Sequence, residues 1–309
     1  MKIVFLDAAT MGNISMEPIE KSGEFFLYPT STHEEACSRS ADAEVIIVNK
    51  LFVDEDIMDS APKLKLICVA ATGVNNIDLE AAAKRGIPVK NVAGYSTESV
   101  LQITWTHILS LLCKPAYYDD EVKSLEYTRR GVANDVRTPF MELDGKTIGI
   151  IGMGTIGHRV AEIAEAFKMR VIYYSTSGTS HCTDWPSVSL DTLLAESDII
   201  SIHAPMNDRT RGLIGKAEFA KMKSSAILVN LGRGGIADEN ALAEAIDKEI
   251  IAGAALDVYS EEPLPEDSPL LHTSHPERLR FTPHIGWAST EAIKRLIQGI
   301  ANNIINTLF

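Results

Sequence analysis

Short apolar runs recur along the chain and alternate with segments that are apolar at helical spacing. This alternation is typical of α/β domains built on parallel sheets, because a helix then connects each strand to the next. Four runs in the first third predict strands, and six further runs predict a second series: Lys2–Leu6, Val45–Val48, Leu66–Ala70 and Pro88–Val92, then Thr147–Ile151, Val171–Tyr174, Ile199–His203, Ile227–Leu231, Ala254–Val258 and Arg280–Thr282. The sequence therefore predicts two parallel sheets.

The length and two long apolar helices predict how the two sheets are divided. A chain of 309 residues is too long for one ordinary core and suits two domains. Helices are predicted from Ser99 to Lys114 and from Ser289 to Leu308. We expect one domain from residues 1–98 and 287–309, a second from residues 99–286, and a ligand cleft between them.

Composition limits the partners and the compartment. A net charge of −13 disfavours nucleic acid and anionic membranes as partners. The four cysteines form no CxxC pair, which indicates unpaired thiols in a reducing compartment. The first apolar run is interrupted by Asp7 and lacks the features of a signal peptide. These two features predict a cytoplasmic protein. The group His181, Cys182 and Asp184 fits no metal-ligand spacing, so we expect no metal site.

A glycine-rich turn follows the first strand of the second series. Thr147–Ile151 runs into Gly152, Met153, Gly154, Thr155, Ile156 and Gly157, and a helical stretch continues to Phe167. In such a turn the first glycine allows a tight bend, the second a close approach to pyrophosphate, and the third close helix–strand packing. The pattern predicts a nicotinamide dinucleotide on a Rossmann domain, and the first domain is expected to be a flavodoxin-like, doubly wound α/β domain.

The next strand lacks the acid that usually grips the ribose hydroxyls of NAD. Val171–Tyr174 is followed by Ser175, with no carboxylate and no arginine beside it in the sequence. The choice between NAD and NADP therefore stays open. The missing positive charge favours NAD, with NADP possible.

Three further segments place polar groups after strands, where ligands bind in open α/β sheets. They are Asn230–Gly235, Leu256–Leu264 and Thr282–Ala288. Arg233 offers a planar, charged fork for carboxylate and carbonyl oxygens, and His284 can donate a proton to a developing alkoxide. Glu262, if it contacts the imidazole, would favour its protonated form; the adjacent Glu261 is the alternative.

Together these segments resemble the D-isomer-specific 2-hydroxyacid dehydrogenases, over essentially the whole chain. Ala70–Asp78 and Asn91–Val100 are similar to the glycerate dehydrogenase (hydroxypyruvate reductase) branch. The resemblance implies NAD(P)-dependent reduction of a small 2-keto acid to the D-2-hydroxy acid, and the reverse reaction. It favours hydroxypyruvate or glyoxylate as substrate and implies a homodimer formed through the cofactor domain.

The resemblance also implies roles for single residues. Arg233, Glu262 and His284 would be catalytic, with Arg233 and His284 also contacting the substrate. The loop of Thr72, Gly73 and Val74 would hold the substrate carboxylate through backbone N–H groups. Cofactor contacts are implied for the glycine-rich turn, for Ser175, and for the following residues: His203, Ala204, Pro205, Leu231, Gly232, Asp257 and Gly286. Asp257 could instead be a structural cap.

The same sequence features are compatible with three other functions. A D-lactate-type or a phosphoglycerate dehydrogenase would share the same three segments. The second of these would want extra arginines near the substrate, and Gly73–Asp78 contains none. Some proteins of this fold act as NAD-sensing corepressors, which bind the dinucleotide without turning over a substrate. A turnover assay separates that class from the enzymes.

Overall fold

The computed structural model describes all 309 residues and groups them into two compact units. Unit 1 is Met1–Ser96 with Trp287–Phe309, and unit 2 is Thr97–Gly286. The strands are β1 Lys2–Phe5, β2 Glu24–Leu27, β3 Val45–Val48, β4 Leu66–Val69, β5 Val89–Lys90, β6 Thr147–Ile151, β7 Arg170–Tyr174, β8 Ile199–Ile202, β9 Ile227–Asn230, β10 Gly253–Leu256 and β11 Leu279–Phe281. All ten predicted strands form, within two residues of the expected bounds.

Twelve α-helices connect these strands, and none is long and apolar enough to cross a bilayer. They are α1 Glu17–Glu20, α2 His33–Ser40, α3 Glu55–Asp59, α4 Leu79–Lys84, α5 Thr97–Cys113, α6 Pro115–Lys123, α7 Glu126–Arg130, α8 Thr155–Ala166, α9 Leu190–Glu196, α10 Lys216–Phe219, α11 Glu239–Asp247 and α12 Thr290–Leu308.

Unit 1 is built on a parallel sheet in the order β2-β1-β3-β4-β5, the flavodoxin-like order. β3 and β4 are buried on both faces, which explains their uninterrupted apolar sequences. The helix α12 packs Leu296, Ile300 and Ile304 against one face of this sheet. The edge strand β2 was not predicted, because its end residues are exposed and its sequence is no longer a buried apolar run.

Unit 2 is built on a parallel sheet in the order β11-β10-β9-β8-β6-β7. The Rossmann order places a third strand outside the second, here outside β7. That place holds only a bridge between Tyr173 and Ser187. Pro186, which has no N–H, lies beside the bridge and accepts from the Tyr173 N–H. The six predicted strands therefore form the sheet, but their arrangement differs from the Rossmann order at both edges. β11 is an additional strand beside β10, and the strand expected outside β7 is reduced to the single bridge at Ser187.

Both faces of the second sheet are covered by apolar residues. Neighbouring residues of a strand point to opposite faces, so Ile150 joins one cluster and Ile151 the other. On the first of these faces, α5 and α8 pack together and bury Trp105, Ile108 and Val160. This packing fixes where α8 begins, at the carboxyl end of β6.

The segment from α6 to residue 140 differs from the rest of unit 2. Neither α6 nor α7 buries a side chain. Ion pairs of Arg130 and Arg137 with Glu121 and Asp135 hold the segment together. Several of its apolar side chains are exposed by 54% to 80%: Val122, Leu125, Val132, Val136 and Phe140.

Candidate active site

The glycine-rich turn between β6 and α8 has three glycines in three different environments. Gly152 has φ +94°, and a Cβ there would lie 2.9 Å from the Ala204 backbone. A Cβ on Gly157 would lie 2.3 Å from the Gly152 carbonyl oxygen. A Cβ on Gly154 would meet nothing within 4 Å. The first and third glycines are therefore required by packing, whereas the second faces open space.

The surroundings of Gly154 fit a bound pyrophosphate. Gly154 is the N-cap of α8, and no side chain caps the helix there. The first N–H groups of a helix have no partner within it, and the helix dipole favours an anion at that end. Met153, Thr155 and Ile156 stand on either side of this open position. The residues present can hold the diphosphate of a dinucleotide.

The loop after β8 packs against two neighbouring turns. Ala204 contacts Gly152, and a Cβ on Gly232 would lie 2.9 Å from the Ala204 carbonyl oxygen. The His203 ring nitrogen Nε2 lies 2.8 Å from the Ser201 hydroxyl. Burial lowers the pKa of His203 to about 3, so its ring is neutral at physiological pH. Pro205 follows Ala204, and its carbonyl oxygen accepts a hydrogen bond from the Thr210 hydroxyl.

The loop after β9 is held from within. The Asn230 side chain accepts from the Gly232 N–H at 3.0 Å and donates to the Arg233 carbonyl oxygen at 3.0 Å. The half-buried Arg233 donates through Nη1 to the Gly232 carbonyl. A Cβ on Gly234 would lie 1.8 Å from the Tyr259 carbonyl oxygen. No other residue fits at position 234, and the contact ties the Arg233 loop to the loop after β10.

A buried carboxylate holds the loop after β11, which we call the histidine loop (Thr282–Gly286). Asp257 is 2% exposed and accepts from the Thr282 hydroxyl at 2.6 Å, the Ile285 N–H at 2.8 Å and the Gly286 N–H at 2.7 Å. The Thr282 hydroxyl also lies 2.9 Å from Nε2 of His107. Asp257 therefore acts as a structural clamp for this loop, and the cofactor contact expected for it from the sequence stays a prediction.

The histidine loop presents His284 beside a carboxylate. Nδ1 of His284 lies 2.6 Å from Oε2 of Glu262, and the two side chains are about one quarter exposed, at 25% and 26%. The other oxygen of Glu262 accepts from the Tyr259 N–H at 3.2 Å. His284 has φ +53°, a conformation that costs a non-glycine residue on the order of 1–3 kcal/mol. The clamp holds the loop in this strained conformation.

Tyr259 links the neighbouring loops. Its hydroxyl donates to the Thr282 carbonyl at 2.9 Å, while its backbone contacts Glu262 and Gly234. Burial raises the pKa of the Tyr259 phenol, so the hydroxyl stays protonated and remains a donor. Through these contacts the structure places the Arg233 loop and the His284–Glu262 pair on adjoining loops at the carboxyl edge of the second sheet. The carboxylate that pairs with His284 is therefore Glu262 and not Glu261, the alternative acid.

The loop after β7, which we call the serine loop (Ser175–Ser180), is held by hydroxyl groups. The Ser175 hydroxyl donates to the Thr179 carbonyl at 2.7 Å, and the Ser177 hydroxyl donates to the same oxygen at 3.0 Å. Arg209, from the loop after β8, donates through Nη1 to the Ser177 carbonyl at 2.6 Å. The sequence contains no arginine beside Ser175, but Arg209 reaches this loop in space although it lies 32 residues beyond Ser177 in the chain.

In unit 1 a similar carboxylate holds the loop after β3. Asp7 is 7% exposed and accepts from the N–H groups of Asn49, Lys50 and Leu51 at 2.6–2.8 Å. The Asn49 amide donates to the Ala70 carbonyl, which fixes the start of the next loop. Neither Asp7 nor Arg209 was recognised from the sequence, because the partners of both come from distant segments.

The loop after β4 offers unused donors. The N–H groups of Gly73 and Val74 make no hydrogen bond within the chain, and the same holds for the other N–H groups from Ala71 to Asn76. The Thr72 hydroxyl lies 3.4 Å from the Val92 carbonyl, a long contact that leaves the side chain weakly held. Two adjacent free N–H groups at the carboxyl end of a sheet suit a carboxylate ligand.

Comparisons with known proteins agree with this geometry. Residues 105–286 match the family described as D-isomer specific 2-hydroxyacid dehydrogenase, NAD binding domain. A glycine turn, an uncapped helix and a histidine–carboxylate pair at one sheet edge define a dinucleotide-dependent oxidoreductase. The chain belongs to the D-isomer-specific 2-hydroxyacid dehydrogenase family, and unit 2 is its NAD-binding domain.

Relatives and solved structures cover nearly all of the chain. It is 34% identical to a hydroxypyruvate reductase of Blautia hydrogenotrophica over 98% of this chain and 96% of that protein. It is 41% identical to a glyoxylate reductase of Aeropyrum pernix over 87% of this chain and 80% of that protein. The structure of a D-lactate dehydrogenase of Aquifex aeolicus with NAD and lactic acid superposes on this chain with a TM-score of 0.85 at 28% identity. The superposition covers 99% of this chain and 94% of that one.

Proposed function

We propose that the protein reduces a small 2-keto acid, hydroxypyruvate or glyoxylate, to the D-2-hydroxy acid with a nicotinamide dinucleotide, and catalyses the reverse reaction. The observation that carries this proposal is the 2.6 Å contact between His284 and Glu262 at the carboxyl edge of the cofactor sheet. Family membership supports the reaction type. The relatives named hydroxypyruvate reductase and glyoxylate reductase support the choice of substrate.

His284 is proposed as the proton donor. The bound dinucleotide supplies a hydride to the keto carbon, and the carbonyl oxygen then needs a proton. Because Nδ1 of His284 faces Glu262, Nε2 is the nitrogen that can donate to the substrate oxygen. The Glu262 carboxylate orients the ring and stabilises its positive form, and the Tyr259 N–H fixes the carboxylate in turn.

Arg233 and the loop of Thr72, Gly73 and Val74 are proposed to hold the keto acid. The guanidinium can bind carboxylate and carbonyl oxygens through two parallel N–H groups. Gly73 and Val74 offer N–H groups without a partner in the chain. Orientation of the carboxylate decides which face of the carbonyl meets the hydride, and hence that the product is the D isomer.

The proposed dinucleotide site follows the carboxyl edge of the second sheet. The turn from Gly152 to Gly157 would hold the pyrophosphate on the N-terminus of α8. The loop of His203, Ala204 and Pro205 would cover a ribose, and Ser175 would face the adenosine ribose. Leu231, Gly232 and Gly286 would line the nicotinamide end, where Asp257 acts by holding the Gly286 backbone.

Two features bear on the remaining alternatives. Gly73–Asp78 contains no arginine that could bind a substrate phosphate, which disfavours phosphoglycerate as substrate. A D-lactate-type enzyme would share the His284–Glu262 pair and Arg233. It would differ from the proposed reductase in which keto-acid side chain it accepts, so a comparison of substrates separates the two activities. A corepressor-like protein would bind the dinucleotide with no need for a positioned proton donor.

A substrate screen tests the proposal. Oxidation of NADH and NADPH is followed with hydroxypyruvate, glyoxylate, pyruvate, phenylpyruvate and phosphohydroxypyruvate, and the product of hydroxypyruvate is assigned as D- or L-glycerate. We expect the highest kcat/KM with hydroxypyruvate or glyoxylate, and D-glycerate as product. Dinucleotide binding without turnover of any keto acid would contradict the proposal and favour a binding protein. Phenylpyruvate or pyruvate as the best substrate would contradict the substrate assignment.

We also propose a cytoplasmic homodimer formed through the cofactor domain. The surface segment from α6 to Phe140 exposes apolar side chains, Val136 by 80% and Phe140 by 62%, that a second copy would cover. Replacing Phe140 with aspartate should raise the monomer fraction in sedimentation velocity. A wild-type protein that sediments as a monomer at micromolar concentration would contradict the dimer.

A further inference from the structure

Arg209 lies across the serine loop without a carboxylate partner. Its guanidinium donates to the Ser177 carbonyl at 2.6 Å, and a Cβ on Gly178 would lie 3.4 Å from Nη1. No acidic side chain forms an ion pair with it, whereas Arg170 and Arg278 elsewhere in unit 2 pair with glutamates. In a chain of net charge −13, an exposed arginine left without an acid keeps its positive charge available to a ligand.

The backbone that carries Arg209 is fixed. Thr210 is fully buried, and its hydroxyl donates to the Pro205 carbonyl at 2.7 Å and accepts from the Asn207 N–H at 2.8 Å. The Arg209 N–H donates to the Asn207 side chain at 2.9 Å. The turn therefore presents the guanidinium toward the end of β7 before any ligand arrives, which reduces the entropy lost on binding.

The serine loop adds hydroxyl groups and no negative charge. Its residues are Ser175, Thr176, Ser177, Gly178, Thr179 and Ser180. The Ser175 and Ser177 hydroxyls donate to the Thr179 carbonyl and would rotate away from it to donate to phosphate oxygens, whereas a guanidinium binds phosphate through parallel N–H groups. A carboxylate at the end of β7 would repel a phosphate, and none is present in the loop.

We propose that Arg209 and the serine loop bind the 2′-phosphate of NADP(H), so that the protein favours NADPH over NADH. The inference rests on the proposed function only in placing the adenosine ribose at the end of β7. It reverses the preference for NAD that the sequence favoured, because the missing positive charge comes from the loop after β8. The ligand group recognised is a 2′-phosphomonoester of adenosine.

Binding of fragments tests the inference without turnover. Isothermal titration calorimetry compares 2′,5′-ADP, which carries the 2′-phosphate, with 5′-AMP, which lacks it. We expect wild-type protein to bind 2′,5′-ADP at least about tenfold more tightly, and Arg209→Gln to weaken 2′,5′-ADP by about 10- to 100-fold, the usual range for a charged hydrogen bond. The affinity for 5′-AMP should stay within about twofold.

Two further variants make the test specific. Arg211→Gln removes the same charge from the same turn, but the hydrogen bond to the serine loop comes from Arg209, so selectivity should not change. Arg209→Lys keeps the charge and loses the planar fork, and it should bind 2′,5′-ADP with intermediate affinity. Thermal melting checks that each variant is folded.

Three results would overturn the inference. They are equal wild-type affinities for the two fragments, equal losses of both fragments in Arg209→Gln, and an equal loss of 2′,5′-ADP in Arg211→Gln. Fragment binding does not involve the keto acid, so the outcome is independent of the substrate screen. Selective binding of 2′,5′-ADP without keto-acid turnover would support the Arg209 site and contradict only the proposed reaction.

Discussion

Two loops at the same edge of the second sheet are held by different means. The histidine loop is clamped by the buried Asp257 carboxylate, which accepts three hydrogen bonds. The serine loop is held by hydroxyls of partly or fully exposed residues and by one arginine from a neighbouring turn. Hydrogen bonds to a buried charge are stronger than those between exposed neutral groups, since water competes less and the charge adds attraction. The difference indicates a rigid loop where the proton donor is proposed and an adaptable loop where the cofactor's 2′-phosphate is proposed to bind.

The largest expected effect comes from the side chain that the rigid loop presents. His284→Ala should lower kcat for keto-acid reduction by about 10²- to 10⁴-fold, the usual share of general acid catalysis. Dissociation constants for NADH and NADPH should barely change, because the ring is proposed to act on the substrate oxygen. Stopped-flow and fluorescence titration measure the two quantities. A folded variant with near-normal turnover would show that another group donates the proton.

The adaptable loop should change cofactor preference with little effect on chemistry. Ser175→Asp places a carboxylate where the 2′-phosphate is proposed to lie, and like charges at such a contact cost several kcal/mol. We expect kcat/KM for NADPH to fall by more than about a hundredfold, with NADH use largely retained. Equal losses with both cofactors would mean that Ser175 lies away from the adenosine ribose.

Weakening the clamp should make the rigid loop resemble the adaptable one. Asp257→Asn turns one acceptor into a donor that faces an N–H group of the loop, which costs about 1–3 kcal/mol. Both the melting temperature and kcat should fall. Asp198→Asn is the matched control, since Asp198 accepts from Thr147 and Lys223 at the opposite end of the sheet. Asp198→Asn should lower only the melting temperature and leave kcat unchanged. If kcat is also unchanged in Asp257→Asn, the clamp has no role in positioning the histidine loop.

The smallest effect is expected at the carboxylate that orients the imidazole. Oε2 of Glu262 lies 2.6 Å from Nδ1 of His284. Glu262→Gln keeps a hydrogen-bonding side chain at this position but removes its charge, so kcat for keto-acid reduction should fall, by less than in His284→Ala. Glu261→Gln is the control and should leave kcat unchanged. A loss of kcat in Glu261→Gln instead would reassign the acid.

Local patterns in the sequence predict the sheets well and the long-range hydrogen bonds poorly. Buried strands such as β3 and β6 are continuous apolar runs, so their position can be inferred from a few residues. The edge strand β2 and the single bridge at Ser187 carry no such signal, because they are only partly buried or paired. The strand order, including the position of β11 at the edge, depends on packing that no local pattern encodes.

The candidate site divides in the same way. The Gly152–Gly157 turn could be predicted because neighbouring residues form it. The Glu262–His284 contact was stated only as a condition, and the resemblance to a known family rather than the local pattern favoured Glu262 over Glu261. The role of Asp257 could not be decided, since its donors lie 25 to 29 residues away in the chain. Arg209 was missed for the same reason, as its partner Ser177 follows a different strand.

The single bridge at Ser187 has a consequence for how this enzyme could be altered. Residues 175–181, which follow β7, contribute no strand and bury no side chain, so the sheet depends little on their sequence or number. Connections without ladder pairing tolerate insertion and exchange far better than strands do. These residues can therefore be exchanged between relatives while the histidine loop and its clamp stay untouched, and under the proposed NADP(H) site the exchange would transfer a cofactor preference only together with Arg209.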